Sequence, residues 1–254
     1  MVSSTAIVRN RWPLLLTVLA PLLWPAGARA EEASGTWFIN LKQSGAWTGD
    51  GLAPALIQPR LGYRRSSGSF DWSVQAGPRF VGAERADWAA SLEMAWQPRP
   101  ALEVFGEWEP ILSTAPEARG LLQDVRAGLV LSLGEGPVRF DDIQDFAAAV
   151  RGLYLKVEQR GTWGVGGEQL AMSASPRLGW SLSQDPVKLS LEAGPGFVFP
   201  SQGAERTDLF GEMDLTVTLS RQWSLYLEYR PSIGFVPEAQ TWVHRLKGGV
   251  VFAF

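Results

Sequence analysis

From Trp242 to the final residue the chain alternates without a break. Trp242, His244, Leu246, Gly248, Val250, Phe252 and Phe254 form one set, and Val243, Arg245, Lys247, Gly249, Val251 and Ala253 form the other. A period of two puts these sets on opposite faces of a β-strand. The first face is almost wholly apolar and ends in an aromatic residue, while the second mixes small and basic residues. A strand of this kind has to set one face against something apolar.

Eleven further stretches alternate in the same way. Together they place strands at about 36–47, 55–65, 70–80, 87–97, 102–110, 122–133, 152–163, 171–182, 187–198, 208–219, 222–231 and 242–254. In the third, Phe70, Trp72, Val74, Ala76, Pro78 and Phe80 oppose Asp71, Ser73, Gln75, Gly77 and Arg79. In the fourth, Trp88, Ala90, Leu92, Met94 and Trp96 oppose Asp87, Ser91, Glu93 and Gln97. The fold class is all-β. Twelve such strands, joined alternately by short and longer connections, suit a closed antiparallel transmembrane β-barrel with both termini on one side. Closure is compulsory in lipid, where an open edge leaves backbone N–H and C=O groups unpaired.

Ordered matches divide the chain in two. Pro59-Arg60-Leu61-Gly62-Tyr63 returns as Pro176-Arg177-Leu178-Gly179-Trp180, and Gln75-Ala76-Gly77-Pro78 as Glu192-Ala193-Gly194-Pro195. Gly82-Ala83-Glu84-Arg85 returns as Gly203-Ala204-Glu205-Arg206, and Glu107-Trp108-Glu109-Pro110 as Glu228-Tyr229-Arg230-Pro231. This nearly constant offset predicts two homologous six-strand halves, 35–133 and 152–254. The connector at 134–151 contains Asp141-Asp142-Ile143-Gln144-Asp145-Phe146, whose acidic residues suit the start of a short helix.

Residues 1–30 stand apart. Arg9 and Arg11 precede the apolar run Pro13 to Leu23, and Ala28-Arg29-Ala30 precedes Glu31-Glu32. These are the n-region, h-region and A-x-A site of a secretory signal peptide cut after Ala30. Without Arg9, Arg11 and Arg29 the 23 basic residues fall to 20 against 26 acidic ones, a balance that argues against a nucleic-acid partner. The absence of cysteine excludes a disulfide framework and a thiolate metal site.

All ten tryptophans beyond residue 30 fall on the apolar parity, near strand ends. Trp37, Trp72, Trp96, Trp180 and Trp223 gather at the end that carries the termini, and Trp47, Trp88, Trp108, Trp163 and Trp242 at the other. Two aromatic girdles at headgroup depth are the expectation; a soluble sandwich or lipocalin-like barrel would turn this face inward instead. Gln43 and Gln159 are exceptions on the lipid parity, which a bulge or a headgroup-level position would accommodate. The closing strand, with Phe252 and Phe254 as its assembly signal, resembles the C-terminal targeting strand of bacterial outer-membrane β-barrel proteins. In barrel size, leader and terminal strand the chain also resembles the monomeric twelve-stranded porins that pass acidic oligosaccharides. The resemblance implies a place in the bacterial outer membrane with both termini periplasmic, among lipid and lipopolysaccharide. It also implies periplasmic chaperones and the barrel-assembly machinery as partners, and small polar solutes as cargo. The lumens of those porins are strongly basic, whereas this one is mixed.

The second parity faces the lumen and is crowded with charge. Lys42, Arg60, Arg64 and Arg79 on the first three strands are opposed only by Asp71. Glu93, Glu103, Glu107, Glu109 and Asp124 dominate the next three, with Arg126 among them. Lys156, Arg160, Arg177 and Lys188 join Glu158 and Glu192 on strands seven to nine, and Glu212, Asp214, Glu228, Arg230, Arg245 and Lys247 come from the last three, with Asp208. The charges nearly balance but are segregated by sector. They suit either ion pairs that fill the interior or the walls of a narrow pore with a transverse field. Twelve strands fall between the ~8 that just fill a barrel and the ~16–18 that leave an aqueous channel. A narrow, mixed-charge channel for small polar solutes is the expectation, with a structural or surface-interaction barrel as the alternative.

Signals for catalysis are weak. The one histidine, His244, lies on the lipid parity, and there is no G-x-S-x-G elbow, H-E-x-x-H pair or phosphate loop. The Glu93, Glu103, Glu107, Glu109 and Asp124 carboxylates have the chemistry to hold a cation, but Arg60 and Arg126 compete for them. No catalytic residue, cofactor or metal is therefore expected, and a lipid-modifying enzyme is the third reading. The terminal aromatic yields a direct test. Leu133 closes the first half with the same alternation but no ring, so Phe254→Ala should impair membrane insertion while Leu133→Ala leaves it intact. Equal losses of folded barrel in membrane fractions would contradict this reading.

Overall fold

The computed structural model describes residues 34–48, 51–53, 55–82, 85–116, 119–134, 136–143, 150–235 and 241–254. The leader, the repeat residues Ala83 and Glu84, and Gln144, Asp145 and Phe146 of the connector lie outside the described residues. Twelve long strands form one antiparallel sheet that closes on itself. In chain order they are β1 Ser34–Thr48, β2 Leu56–Ser67, β3 Phe70–Val81, β4 Arg85–Arg99, β5 Leu102–Ser113, β6 Gly120–Ser132, β7 Leu153–Trp163, β8 Gln169–Gln184, β9 Val187–Pro200, β10 Arg206–Thr218, β11 Trp223–Gly234 and β12 Trp242–Ala253. Sequence neighbours are sheet neighbours throughout. β12 returns to β1, with Phe38 opposite Ala253 and Thr48 opposite Val243. Phe254 N adds a last bond to Trp37 O at 3.0 Å. Gly51–Leu52 makes a two-residue ladder on the end of β1.

The strands overrun their predicted bounds, mostly at the end away from the termini. β5 continues through Ser113, which pairs with Gly120 of β6. Beyond the apolar slab the hydrophobic pattern lapses, but backbone groups still gain by pairing, so the ladder outlasts the alternation.

Exposure decides which way the wall faces. Arg60 and Asp87 are 2% and 1% exposed, whereas Leu61 is 52% and Trp88 is 60% exposed. Charge points in and apolar surface points out, the reverse of a soluble barrel. All ten tryptophans lie on the outward parity. Gln43 and Gln159 also stay outward, in uninterrupted ladder opposite Gly248 and Ala127 respectively, so no bulge excuses them.

Inside, aromatic rings lie over glycines of the neighbouring strand. Phe38 covers Gly62, Phe105 covers Gly128, Tyr154 covers Gly179 and Tyr226 covers Gly249; a Cβ at any of these glycines would overlap the ring. Gly77 and Gly194 likewise lie against the backbones of Pro59-Arg60 and Pro176-Arg177. Each contact in the first half has a counterpart at the matching position of the second.

The described part of the connector holds a 3-10 turn at Phe140–Asp142 and helical residues Val150 and Arg151. Val138 N donates to Ser181 O at 3.0 Å, and Ser183 N donates to Val138 O at 2.9 Å. Val138 thus pairs in parallel with the end of β8, which overruns β7, and the adjoining Leu182 is 1% exposed. Alternation around a single residue is too short a signal for this bridge to be read from sequence.

The closing seam yields a stability test. A side chain at Gly249 would meet Leu41 O as well as the Tyr226 ring. Gly249→Leu should therefore cost about 1–3 kcal/mol through overpacking, measured by urea unfolding of the detergent-folded barrel. Unchanged stability would contradict the packing described.

Candidate functional site

The lumenal parity of β5 to β12 carries a continuous belt of ion pairs. Glu107 of β5 meets Arg126 of β6 at 2.6 Å, and Arg126 reaches Glu158 of β7 at 4.0 Å. Arg177 of β8 then gathers three carboxylates. It lies 3.5 Å from Glu158, 3.2 Å from Glu192 of β9, and in contact with Glu212 of β10. Glu212 continues to Arg230 of β11 at 2.5 Å, Arg230 to Glu228 at 2.8 Å, and Glu228 to Lys247 of β12 at 2.6 Å. Lys156 joins Glu192 at 3.0 Å beneath Tyr154, whose hydroxyl donates to the same carboxylate at 2.9 Å. Rings line this side too, with Phe105 5.5 Å from Lys156 Nζ and Phe210 6.0 Å from the Arg177 guanidinium.

On the first strands a chord replaces the belt. Arg60 of β2 crosses Gly77 of β3 and Ala89 of β4, positions in register with it and nearly free of side chain, to bond Glu109 of β5 at 2.5 Å. Lys42 of β1 approaches the same carboxylate at 3.9 Å. The basic and acidic sectors read from sequence are therefore not separate walls. Long arginine side chains carry positive charge over the small residues between the strands, so segregation along the chain becomes pairing in space.

At the end away from the termini, Asp87 is met by Arg85 at 3.3 Å and Arg79 at 3.8 Å, and accepts a bond from Thr114 N at 2.9 Å. This anchors the exit of β5. Arg206 and Asp208, at 3.1 Å, occupy the matching positions of the second half. At mid-lumen, Glu109 lies directly opposite Asp124, and Arg230 directly opposite Arg245. These two like-charged pairs are six strands apart, on facing walls of a twelve-strand ring.

A file of four cavities runs past these groups. One at the end carrying the termini, about 520 Å³, includes Arg64, Asp71, Ser73 and Glu93 in its lining. It shares Arg64, Ser73, Glu93 and Glu107 with a second of about 310 Å³, which adds Asn40, Lys42, Arg60, Tyr226 and Lys247. The second shares Lys42, Glu107 and Lys247 with a third of about 370 Å³, lined also by Glu109, Asp124, Arg126, Glu228, Arg230 and Arg245. The third shares Arg160 and Arg245 with a far vestibule of about 660 Å³. Of the residues expected to line a pore, Arg79, Glu103, Lys156, Arg177, Glu192, Glu212 and Asp214 face the lumen but line none of these four. Most of them belong to the packed side, β7 to β10.

Sequence reasoning missed the neutral polar groups of the second cavity. Asn40 donates to Gln75 at 3.1 Å and accepts from Tyr226 at 3.1 Å, while Gln75 and Ser73 each donate to Glu93 at 3.3 Å. It also left Arg206 in a loop; the inward parity of Asp208 and Phe210, extended one step back, would have placed it in the lumen. His244 faces outward, its Nδ1 2.7 Å from the Tyr229 hydroxyl and its ring 5.1 Å from Trp47. Phe252 packs at 4.6 Å against Trp223 and at 5.9 Å against Phe254, also on the outer face.

Residues 138–254 match the family described as cyanophage outer membrane protein like beta barrel domain. That match spans less than half of the chain; the polar lumen, apolar outer face and closed even-numbered sheet agree with it. The chain is a β-barrel of the outer-membrane type. Its fold is similar to the translocator domain of autotransporter NalP from Neisseria meningitidis, at 12% identity and a TM-score of 0.54, covering 86% of this chain and 88% of that one. It is similar too to the KdgM porin solved in complex with disordered oligogalacturonate, at 7% identity and a TM-score of 0.50, covering 85% and 99% respectively. No curated protein sequence matches the chain.

The belt predicts a graded response in this barrel. Arg177 is buried among Glu158, Glu192 and Glu212, so Arg177→Leu should destabilise by about 3–5 kcal/mol by leaving carboxylates buried and unpaired. Arg160 sits half exposed against Asp124, and Arg160→Leu should cost at most about 1 kcal/mol. Equal urea-unfolding midpoints for the two variants would contradict the division between packed and open sides.

Proposed function

We propose that the barrel is a narrow outer-membrane channel for small polar solutes, with its passage confined to one side of the lumen. The observation that carries this reading is the file of four cavities, each sharing charged lining residues with the next from one rim to the other. A barrel stabilised only as a structural wall has no need of such a file. At mid-height the belt across β7 to β10 supplies rigidity while β1 to β6, β11 and β12 line the path, which opens at its far end into a vestibule walled also by β7 to β10. Across the third cavity the paired carboxylates Glu109 and Asp124 stand opposite Arg230 and Arg245, so the wall offers polar groups of both signs to a passing solute.

The termini would face the periplasm, since, the connector between β6 and β7 excepted, the short turns lie at their end and the longer connections at the other. Outer-membrane lipid and lipopolysaccharide would meet the tryptophan girdles, and chaperones and the barrel-assembly machinery would deliver the chain through Phe252 and Phe254. We read no catalytic role into the lumen. The two halves are read as homologous, which the matched aromatic–glycine contacts and the matched Arg85–Asp87 and Arg206–Asp208 pairs support.

Single-channel recording in planar bilayers tests the proposal. Discrete conductance steps are expected, and Ala46→Trp, which adds bulk to the wall of the third cavity, should lower them several-fold without changing heat-modifiable mobility. A correctly folded wild-type barrel without conductance would sink the channel reading.

A further inference from the structure

The far vestibule holds more guanidinium than its carboxylates engage. Arg230 and Arg245 stand directly opposite one another on β11 and β12, a like-charge placement that is unfavourable by itself. Arg230 is occupied by Glu212 and Glu228. Arg245 makes no hydrogen bond or ion pair among the described residues. Its register partner on the other side, Ala46 of β1, has no polar side chain to offer.

Arg245 is exposed to water and lines both the vestibule and the third cavity, as does Arg160. Arg206, half exposed, adds a third guanidinium to the vestibule wall. The one carboxylate among the described vestibule-lining residues, Asp208, is engaged by Arg206. Across the third cavity, Glu109 and Asp124 are held by Arg60 and Arg160, so they do not cancel Arg245. The chain as a whole is acidic, yet this chamber is locally basic.

A guanidinium presents a planar fork of donors that matches the oxygens of phosphate or carboxylate two at a time. Low-dielectric walls focus its field into the cavity rather than letting bulk water screen it. Serine hydroxyls at Ser173 and Ser232 supply further donors around the same space.

We propose that Arg245, flanked by the carboxylate-paired Arg206 and Arg160, forms a binding site for a small oxyanion, the phosphate or carboxylate group of a solute entering at the far mouth. The site deepens the channel reading and rests on it only for the onward route, since capture requires just an open vestibule.

The test is calorimetric titration of inorganic phosphate into the detergent-folded barrel as wild type, Arg245→Gln and Arg221→Gln, the last a charge-matched control in a turn at the opposite rim. Saturable binding is expected in the wild type, weakened at least tenfold in Arg245→Gln and retained in Arg221→Gln. Absence of saturable binding in the wild type, or equal affinity in Arg245→Gln, overturns the site. Should Arg245→Gln fail to fold, Arg206→Gln is read in its place, with a several-fold loss expected and unchanged affinity overturning the proposal. Bilayer recordings on the same samples separate the two readings. A barrel that binds phosphate but does not conduct refutes the channel and keeps the site, and one that conducts without saturable phosphate binding does the reverse.

Discussion

The ladder between β1 and β12 is the interaction on which everything else depends. In hydrocarbon each unpaired backbone group costs several kcal/mol, and the seam from Phe38–Ala253 to Thr48–Val243 would leave a row of them exposed if it opened. Closure also creates the lumen. Charges that would be intolerable on the lipid face become affordable inside, because the wall separates them from the bilayer and brings opposite signs within reach.

The interior then divides lengthwise. On the side of β7 to β10, Arg177, Glu158, Glu192 and Glu212 interlock with Tyr154 and Phe210 and leave little space. On the other side, glycines and alanines thin the wall where Arg60 crosses to Glu109, and the file of cavities follows. The lumenal charges thus divide by position into ion pairs that fill the interior and groups that line the cavities. The balance of fixed charge along the path shifts from mixed near the termini to basic at the far vestibule.

Much of this was legible in the sequence because the strand period is rigid. One parity assignment at Trp88 or Arg60 settles the face of every residue on its strand, so the outward tryptophans and inward charges followed together. What the alternation did not encode was reach. Whether Arg60 would pair with a neighbouring strand or cross two strands to Glu109 depends on the lack of bulk at Gly77 and Ala89, a feature that registers only once the strands are aligned. The bridge at Val138 and the strand extensions past the apolar slab were illegible for a related reason. They are set by backbone pairing, to which side-chain pattern is indifferent. Arg245 follows the lumenal parity of its strand, but its isolation emerges only when every neighbouring carboxylate is seen to be engaged.

At mid-height the lumen is packed on the side of β7 to β10 and open in a file of cavities on the other. The chain has no cysteine, so single cysteines can report on this without background. Ser44 and Ser73 line the cavities, whereas Ser175, also lumenal, is buried in the packed sector beside Glu158. The deciding measurement is the rate at which a charged, membrane-impermeant thiol reagent modifies Ser44→Cys, Ser73→Cys and Ser175→Cys in the folded barrel. Fast reaction at the first two with protection at the third is the result expected. Protection at all three, or reaction at Ser175→Cys as fast as at Ser73→Cys, would contradict it.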